Sequence, residues 1–218
     1  MATSEPASAE VQVWYPSGAT IAERKRAVTR AALAGAALRL ALERGLEHVT
    51  VPDIAAAAGV SPRTFNNYFA SKEEAVAAPA FDRMAGILAA LGQRPAAEPA
   101  WEALTAAILA QFPAAGGAGP EAVRHARLVK DSPALWGEQL KTYAAIEQLL
   151  AAAVAERLGA AASELTPRLI AAAAIGAARV AFDHWLDADG RTPLRQVIAR
   201  ALAQTGAGVA VAGQGAGQ

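Results

Sequence analysis

Three helix starts crowd into residues 50–75, TVPDIAAAAGVSPRTFNNYFASKEEA. Thr50 is a good N-cap, Pro52 suits a first helical turn, and Asp53 completes a short capping box. The helix that follows runs over about 51–58 and stops at Gly59. Ser61 then caps a second helix, with Pro62 at its first position, over 62–69. Ser71 opens a third, in which Ser-x-x-Glu puts Glu74 within reach of the cap. Two very short helices joined by the turn Gly-Val-Ser are therefore fixed by punctuation alone. Ile54 and Ala58 on one, and Phe65 and Phe69 on the other, recur at i, i+4, so both helices present an apolar side to a shared small core.

The rest of the chain reads as helix too. It has 218 residues, 54% hydrophobic but only 6% aromatic. Alanine supplies much of the apolar content, and it favours helix over strand. No strand alternation and no internal repeat is found, so the expected fold class is all-α. Residues 1–19 mix Ser, Pro, Gly and acid and read as a mobile arm. A helix over Ile21–Arg44 carries Leu33, Ala37 and Leu40 on one face, and Gly45 is placed to end it. The helix after Ser71 continues toward Leu91. GQRPAAEP, 92–99, with its Pro pair and a drop in apolar periodicity, is read as a loop and a domain boundary. Further helices are expected over Ala100–Phe112, Glu121–Lys130, Pro133–Leu158, Pro167–Leu186 and Pro193–Thr205. The segments PAAGGAGP (113–120) and 207–218 are rich in Gly and Ala; the first reads as a loop and the second as a disordered tail. The expected units are one over 20–76 and a larger helical one over 77–206.

The two short helices form a helix–turn–helix, with Gly59 supplying the turn conformation and Val60 plugging it from below. With Phe65 and Phe69 inward, Arg63, Asn66 and Asn67 point outward and Tyr68 lies between. Asn is a poor helix former, at a cost of about half a kcal/mol each. A helix docked in a major groove recovers more, since Asn pairs with an adenine edge and Arg with a guanine edge for roughly 1–3 kcal/mol of discrimination. Ser61, Thr64 and Tyr68 offer hydroxyls to phosphate oxygens. Lys72 and the basic cluster ERKRAVTR (23–30) offer charge that fixes register without reading sequence. In isolation the asparagines are also ordinary surface residues, and the basic cluster an ordinary solvated helix face. Formal net charge is +0, so any nucleic-acid surface is local.

The later helices can wall an apolar pocket. Phe112, Leu128, Leu135, Trp136, Leu140, Tyr143, Ile175 and Phe182 are the candidate lining, the alternative for each being plain core. Arg179 interrupts an apolar stretch and needs a partner if buried: an anionic ligand, Asp183, or another subunit. Arg124 and His125 are further candidates for an anion. The histidines, His48, His125 and His184, lack metal-ligand spacing, and there is no cysteine. No cofactor is called for. The absence of a nucleophile–base pair and of a phosphate-cradling loop weighs against an enzyme. No signal peptide is legible, and the longest apolar run, LIAAAAIGAA, is about half the ~20 residues of a membrane span. A soluble cytoplasmic protein with no membrane partner is expected.

The stretch AALRLALERGLEHVTVPDIAAAAGVSPRTFNNYFASKEEAV resembles the DNA-binding domain of TetR-family transcriptional regulators over about residues 22–76. The resemblance implies an all-α homodimer that binds a double-stranded DNA operator, with a C-terminal domain that binds a small-molecule effector. It implies dimerisation through a four-helix bundle formed by the last two helices of each chain. Carried over by position, Thr50, Ser61, Arg63, Thr64, Asn66, Asn67, Tyr68 and Lys72 fall where the family contacts DNA. Two departures stand out: Ala41 replaces a usual large aromatic, and Asn66 and Asn67 replace residues that are often aromatic. The segment HARLVKDSPALWGEQLKTYAAIEQLLAAAVAERLG, with LTPRLIAAAAIGAARVAFDHWL after it, resembles a subgroup with an acyl-CoA-like ligand-binding domain. The expected function is a TetR-type regulator, in the sense of a repressor released by an apolar or acyl-CoA-like ligand. The competing readings are an all-α enzyme acting on an acyl or apolar substrate, and a helical scaffold with a degenerate helix–turn–helix.

Overall fold

The computed structural model of the chain describes residues 20–112 and 120–214. The N-terminal arm and nearly all of the PAAGGAGP loop lie outside the described residues. Among those described, the regular structure is helical throughout, as the sequence pattern implies. The elements are α1 (Ile21–Arg44), α2 (Val51–Ala57), α3 (Pro62–Asn66), α4 (Lys72–Gly92), α5 (Ala100–Leu109), α6 (Pro120–Asp131), α7 (Pro133–Leu158), α8 (Leu165–Asp187) and α9 (Leu194–Gln214). A short 3-10 turn, Leu46–His48, links α1 to α2.

The punctuation works as chemistry. Thr20 caps α1 in a reciprocal box with Glu23, and Gly45, at φ 81°, ends it. Thr50 and Asp53 form the same box on α2. The Thr50 hydrogen bonds hold the Asp53 carboxyl below its usual range. The box is therefore intact above the ordinary Asp pKa and weakens as pH falls through the lowered one. Ser61 accepts from the Thr64 N–H at 3.1 Å to start α3. At α4 the arrangement differs from a simple box: Ser71 accepts from the Glu74 N–H, but the Glu74 carboxylate takes the Ala70 N–H at 2.7 Å.

Two boundaries depart from expectation. α3 ends at Asn66 rather than 69, and the chain leaves it through a tighter turn in which the Asn67 N–H bonds the Thr64 carbonyl. Adjacent asparagines give little reason to extend a helix. α9 runs on to Gln214, so the expectation of disorder from residue 207 is corrected as far as 214; residues 215–218 lie outside the described part. Each Gly costs about 1 kcal/mol against Ala in a helix, and alternation with Ala and Val leaves the helix standing. Gly206 also has a packing reason: a Cβ there would lie 2.2 Å from Trp101 Nε1.

Buried side chains gather into two clusters. The first joins Leu33, Ala37 and Leu40 of α1 to Ile54, Phe65, Phe69, Ala75 and Val76. The second joins Met84, Ile87 and Leu91 of α4 to Leu104, Ile108, Leu150, Trp185, Ile198 and Leu202. α4 serves both, with Pro79 between its two halves. Val129 and Leu135 reach across from α6 and α7 into the first cluster. α4 and α8 are apolar enough by length and mean hydropathy, 1.3 and 1.4, to suit a membrane. In α4 that apolar content is spent inside the two cores.

Helices as short as α2 and α3 do not persist without tertiary packing. Phe65, fully buried, is the side chain on which both rest. Phe65→Ala is expected to destabilise the N-terminal cluster by about 3–5 kcal/mol, read as a lower urea midpoint.

Candidate nucleic-acid interface and ligand cavity

The turn between α2 and α3 is built on Gly59 at φ 70°, with the Val60 N–H bonded to the Ala55 carbonyl at 2.9 Å. Phe65 and Phe69 pack with ring centroids 5.7 Å apart and seal the underside of α3. Arg63, Asn66 and Asn67 are exposed, while Thr64 and Tyr68 are half-buried. The arginines of α1 support this face. Arg26 lies over the Tyr68 ring at 5.8 Å and Arg30 over the Phe69 ring at 4.9 Å. Arg30 also pairs with Asp82 of α4. The reading face is thus a polar strip over a packed core, and the Arg30–Asp82 pair is one of its ties to α4.

Four of the eight candidate DNA residues, Thr50, Ser61, Thr64 and Lys72, have structural work of their own. Thr50 is exposed, but its hydroxyl is engaged in the α2 cap. Ser61 and Thr64 share a hydroxyl–hydroxyl contact at 2.9 Å at the start of α3. Lys72 departs further from its expected role. Its ammonium donates to the carbonyls of Leu46 (2.7 Å) and Val49 (2.9 Å), two of the three bonds it can make. It fastens the loop after α1 to the start of α4.

A cavity of about 370 Å³ lies between α4, α5, α6, α7, α8 and α9. Phe112, Trp136, Tyr143, Ile175, Arg179 and Phe182 line it, as the sequence suggested. Leu128, Leu135 and Leu140 do not, and these three are corrections. Leu135 is fully buried in the N-terminal cluster, and Leu128 packs against the same cluster. Leu140 is 48% exposed on the outside of α7. Leucines on α6 and α7 carry no mark of which side faces the cavity; the cluster with α1 and α4 takes Leu128 and Leu135, and Leu140 faces outward.

Residues that pattern reading missed are the most informative. Arg83 of α4 lines the cavity and lies over the Phe112 ring at 5.2 Å. Arg83 is exposed by surface area, yet the surrounding protein still removes enough water to push the guanidinium pKa down, opposed by the Tyr143 hydroxyl. Arg179, exposed rather than buried, meets Asp183 at 3.8 Å. Lys130 meets Asp183 at 3.5 Å and Asp187 at 3.4 Å. Burial, then Asp183, pushes the Tyr143 hydroxyl up, so it stays a neutral donor beside Gln139. His125 also lines the cavity, while Arg124 is absent from its lining. His184 contacts Arg200 at 3.3 Å, and no metal-binding cluster occurs among the described residues. The only sequence mark of Arg83 was a cation inside an apolar helix, FDRMAGIL, the signal already noticed at Arg179.

A helix–turn–helix reading head joined by one helix to an effector-sized cavity defines a ligand-responsive type of transcription regulator. Residues 33–78 match the bacterial regulatory proteins of the tetR family, and residues 98–210 match the MftR C-terminal domain. The transcriptional regulator TcmR of Streptomyces glaucescens is 37% identical over 78% of this chain and 78% of its own. MftR of Mycobacterium tuberculosis, named as a mycofactocin biosynthesis regulator, is 30% identical over 85% of this chain and 93% of its own. The fold is shared with the fatty acid degradation regulator FadR of Bacillus halodurans (TM-score 0.53, 19% identity, 81% and 94% of the two chains). A tetR-family regulator of Streptomyces coelicolor shares it too (0.51, 19%, 84% and 83%). The chain belongs to the TetR family: it is a transcriptional regulator with a helix–turn–helix DNA-binding domain, and not an enzyme.

Lys72→Met is expected to lower stability by about 1–3 kcal/mol through the two lost charged hydrogen bonds. The slope of log affinity for DNA against log salt is expected to stay unchanged, since a phosphate-contacting lysine would reduce it by about 1.

Proposed function

We propose that the protein is a repressor that binds a palindromic operator as a homodimer and is released by a small apolar or acyl-CoA-like effector in the α4–α9 cavity. The observation that carries this is the exposed strip of Arg63, Asn66 and Asn67 over the sealed pair Phe65 and Phe69. Its donors and acceptors suit base edges in a major groove. Thr50, Ser61, Thr64 and Tyr68 flank it with hydroxyls for phosphates. The units divide at α4, the DNA-binding part before it and the effector part after. A protein working on operator DNA is cytoplasmic in a bacterium.

The dimer reading rests on α8. Leu165, Leu169 and Val180 are 71%, 56% and 56% exposed, and recur at helical spacing along one side. Nothing approaches the Cβ position of Gly176 on the same helix. Such a stripe lets a second α8 approach closely. A two-fold dimer then presents its two α3 helices to successive major grooves, about 10 bp apart or a multiple of that.

Release follows from α4. It lines the cavity from Val76 to Ile87 and holds Arg30 through Asp82. A ligand that fits one setting of α4 better than another shifts the spacing of the two reading heads, by no more than its differential affinity for the two states.

Two experiments test this. Arg63→Ala with Asn67→Ala is expected to abolish specific operator protection in footprinting while the dimer stays intact by light scattering; normal protection would remove the assignment of α3. Asp82→Asn breaks the tie to Arg30 at a carboxyl whose pKa burial already raises, so loss of its charge leaves the fold standing. Operator affinity is expected to fall by no more than about fivefold, the range of an exposed ion pair, with an unchanged melting temperature.

A further inference from the structure

The cavity has a charge imbalance that its apolar walls hide. Four basic side chains line it, Arg83, Lys130, Arg179 and Arg195, against one carboxylate, Asp183. Three of the four are already engaged. Lys130 and Arg179 share Asp183, and Arg195 donates to the carbonyls of Leu109 and Phe112. Arg83 differs. Among the described residues no carboxylate pairs with it; its guanidinium rests on the face of Phe112 beside Tyr143. A cation–π contact satisfies one face of the guanidinium and leaves its edge N–H donors open.

We infer that Arg83 is the anchor for the carboxylate of a free organic acid whose apolar body fills the rest of the cavity. This rests on the reading of the cavity as the effector site and narrows it to the chemistry of the ligand's end. A planar guanidinium fork binds a carboxylate through two parallel hydrogen bonds. Desolvation, which weakens the charged state of Arg83 when empty, strengthens that pair once formed. Tyr143, neutral and beside Arg83, supplies a second donor. The rest of the lining includes Met84, Ile87, Trp136, Ile175, Phe182 and Ile198, which suit an alkyl chain or a fused ring. A thioester of the same acid has no anion at that end, so its carbonyl accepts at most an ordinary hydrogen bond and forms no bidentate ion pair with the fork.

The test measures binding to the full-length protein by calorimetry with decanoate, decanamide and decanoyl-CoA, and with 2-naphthoate and 2-naphthamide. In the wild type each acid is expected to bind at least about tenfold more tightly than its amide, the worth of a charge-assisted bidentate pair. Arg83→Leu is expected to erase that preference while the amides bind as before; Arg83→Lys keeps part of it. Operator binding without ligand, measured for each variant, shows that the fold survives. Persistence of the acid preference in Arg83→Leu overturns the assignment of Arg83 and leaves the effector cavity standing. Tighter binding of decanoyl-CoA than decanoate, with both acids no better than their amides, overturns the free-acid inference and favours a thioester effector. Binding of none of the five probes overturns the inference and counts against the cavity as the effector site.

Discussion

α4 is buried twice, against two different sets of neighbours. Its first turns supply Ala75, Val76 and Ala78 to the cluster that holds the helix–turn–helix. Its later turns supply Met84, Ile87 and Leu91 to the cluster around Trp185 and Leu150. Both clusters draw residues from this one helix, so a displacement of either has a covalent route to the other along α4. Pro79 lies where the clusters meet and removes one of the helix's internal hydrogen bonds. The same helix also lines the cavity from Val76 to Ile87 and grips Arg30 through Asp82. Everything proposed about regulation depends on this one element being shared.

Neighbouring residues on α4 divide the labour by helical geometry. Asp82 and Arg83 are consecutive, so they project about 100° apart. Asp82 turns toward α1 and meets Arg30, which sits on Phe69 beneath the reading face. Arg83 turns toward α5 and rests on Phe112 in the cavity wall. Spatial adjacency is not itself evidence of energetic coupling. It does mean that Arg83, in the cavity wall, lies one residue from the contact between α4 and Arg30.

The sequence was most legible where local chemistry decides structure. Caps at Thr50, Ser61 and Ser71 and the Gly59 turn depend on a few adjacent residues, and the structure keeps all of them. The inward turn of Phe65 and Phe69 followed from i, i+4 spacing and is equally plain. Legibility fell where distant helices decide. Leu135 and Phe182 look alike as apolar residues on long alanine-rich helices. One, on α7, is core of the N-terminal unit and the other, on α8, lines the cavity, because helices remote in sequence pack on each. Lys72 read as a phosphate contact because the carbonyls it holds, Leu46 and Val49, are remote in sequence. Arg83 went unnoticed for the same reason: its partner Phe112 lies on the far side of a loop.

Magnitudes say what the cavity must supply if it is to switch the protein. Moving an equilibrium from one state to the other almost completely takes about 5.5 kcal/mol of differential affinity. A charge-assisted hydrogen bond contributes about 1.5–3 kcal/mol net, so an anchor at Arg83 alone falls short in one subunit. The remainder has to come from apolar surface that is covered in one setting of α4 and open in the other, at about 25 cal/mol per Å². Ile87, a turn beyond Arg83, and Val76, two turns before it, both line the cavity and are both nearly or fully buried in the cores. A ligand long enough to touch both bears on α4 to either side of Pro79. In a two-fold dimer the contributions of two such ligands add, since both reading heads must match one operator. The geometry therefore favours an effector with one fixed polar end and an extended apolar body over a compact polar molecule held by its head alone.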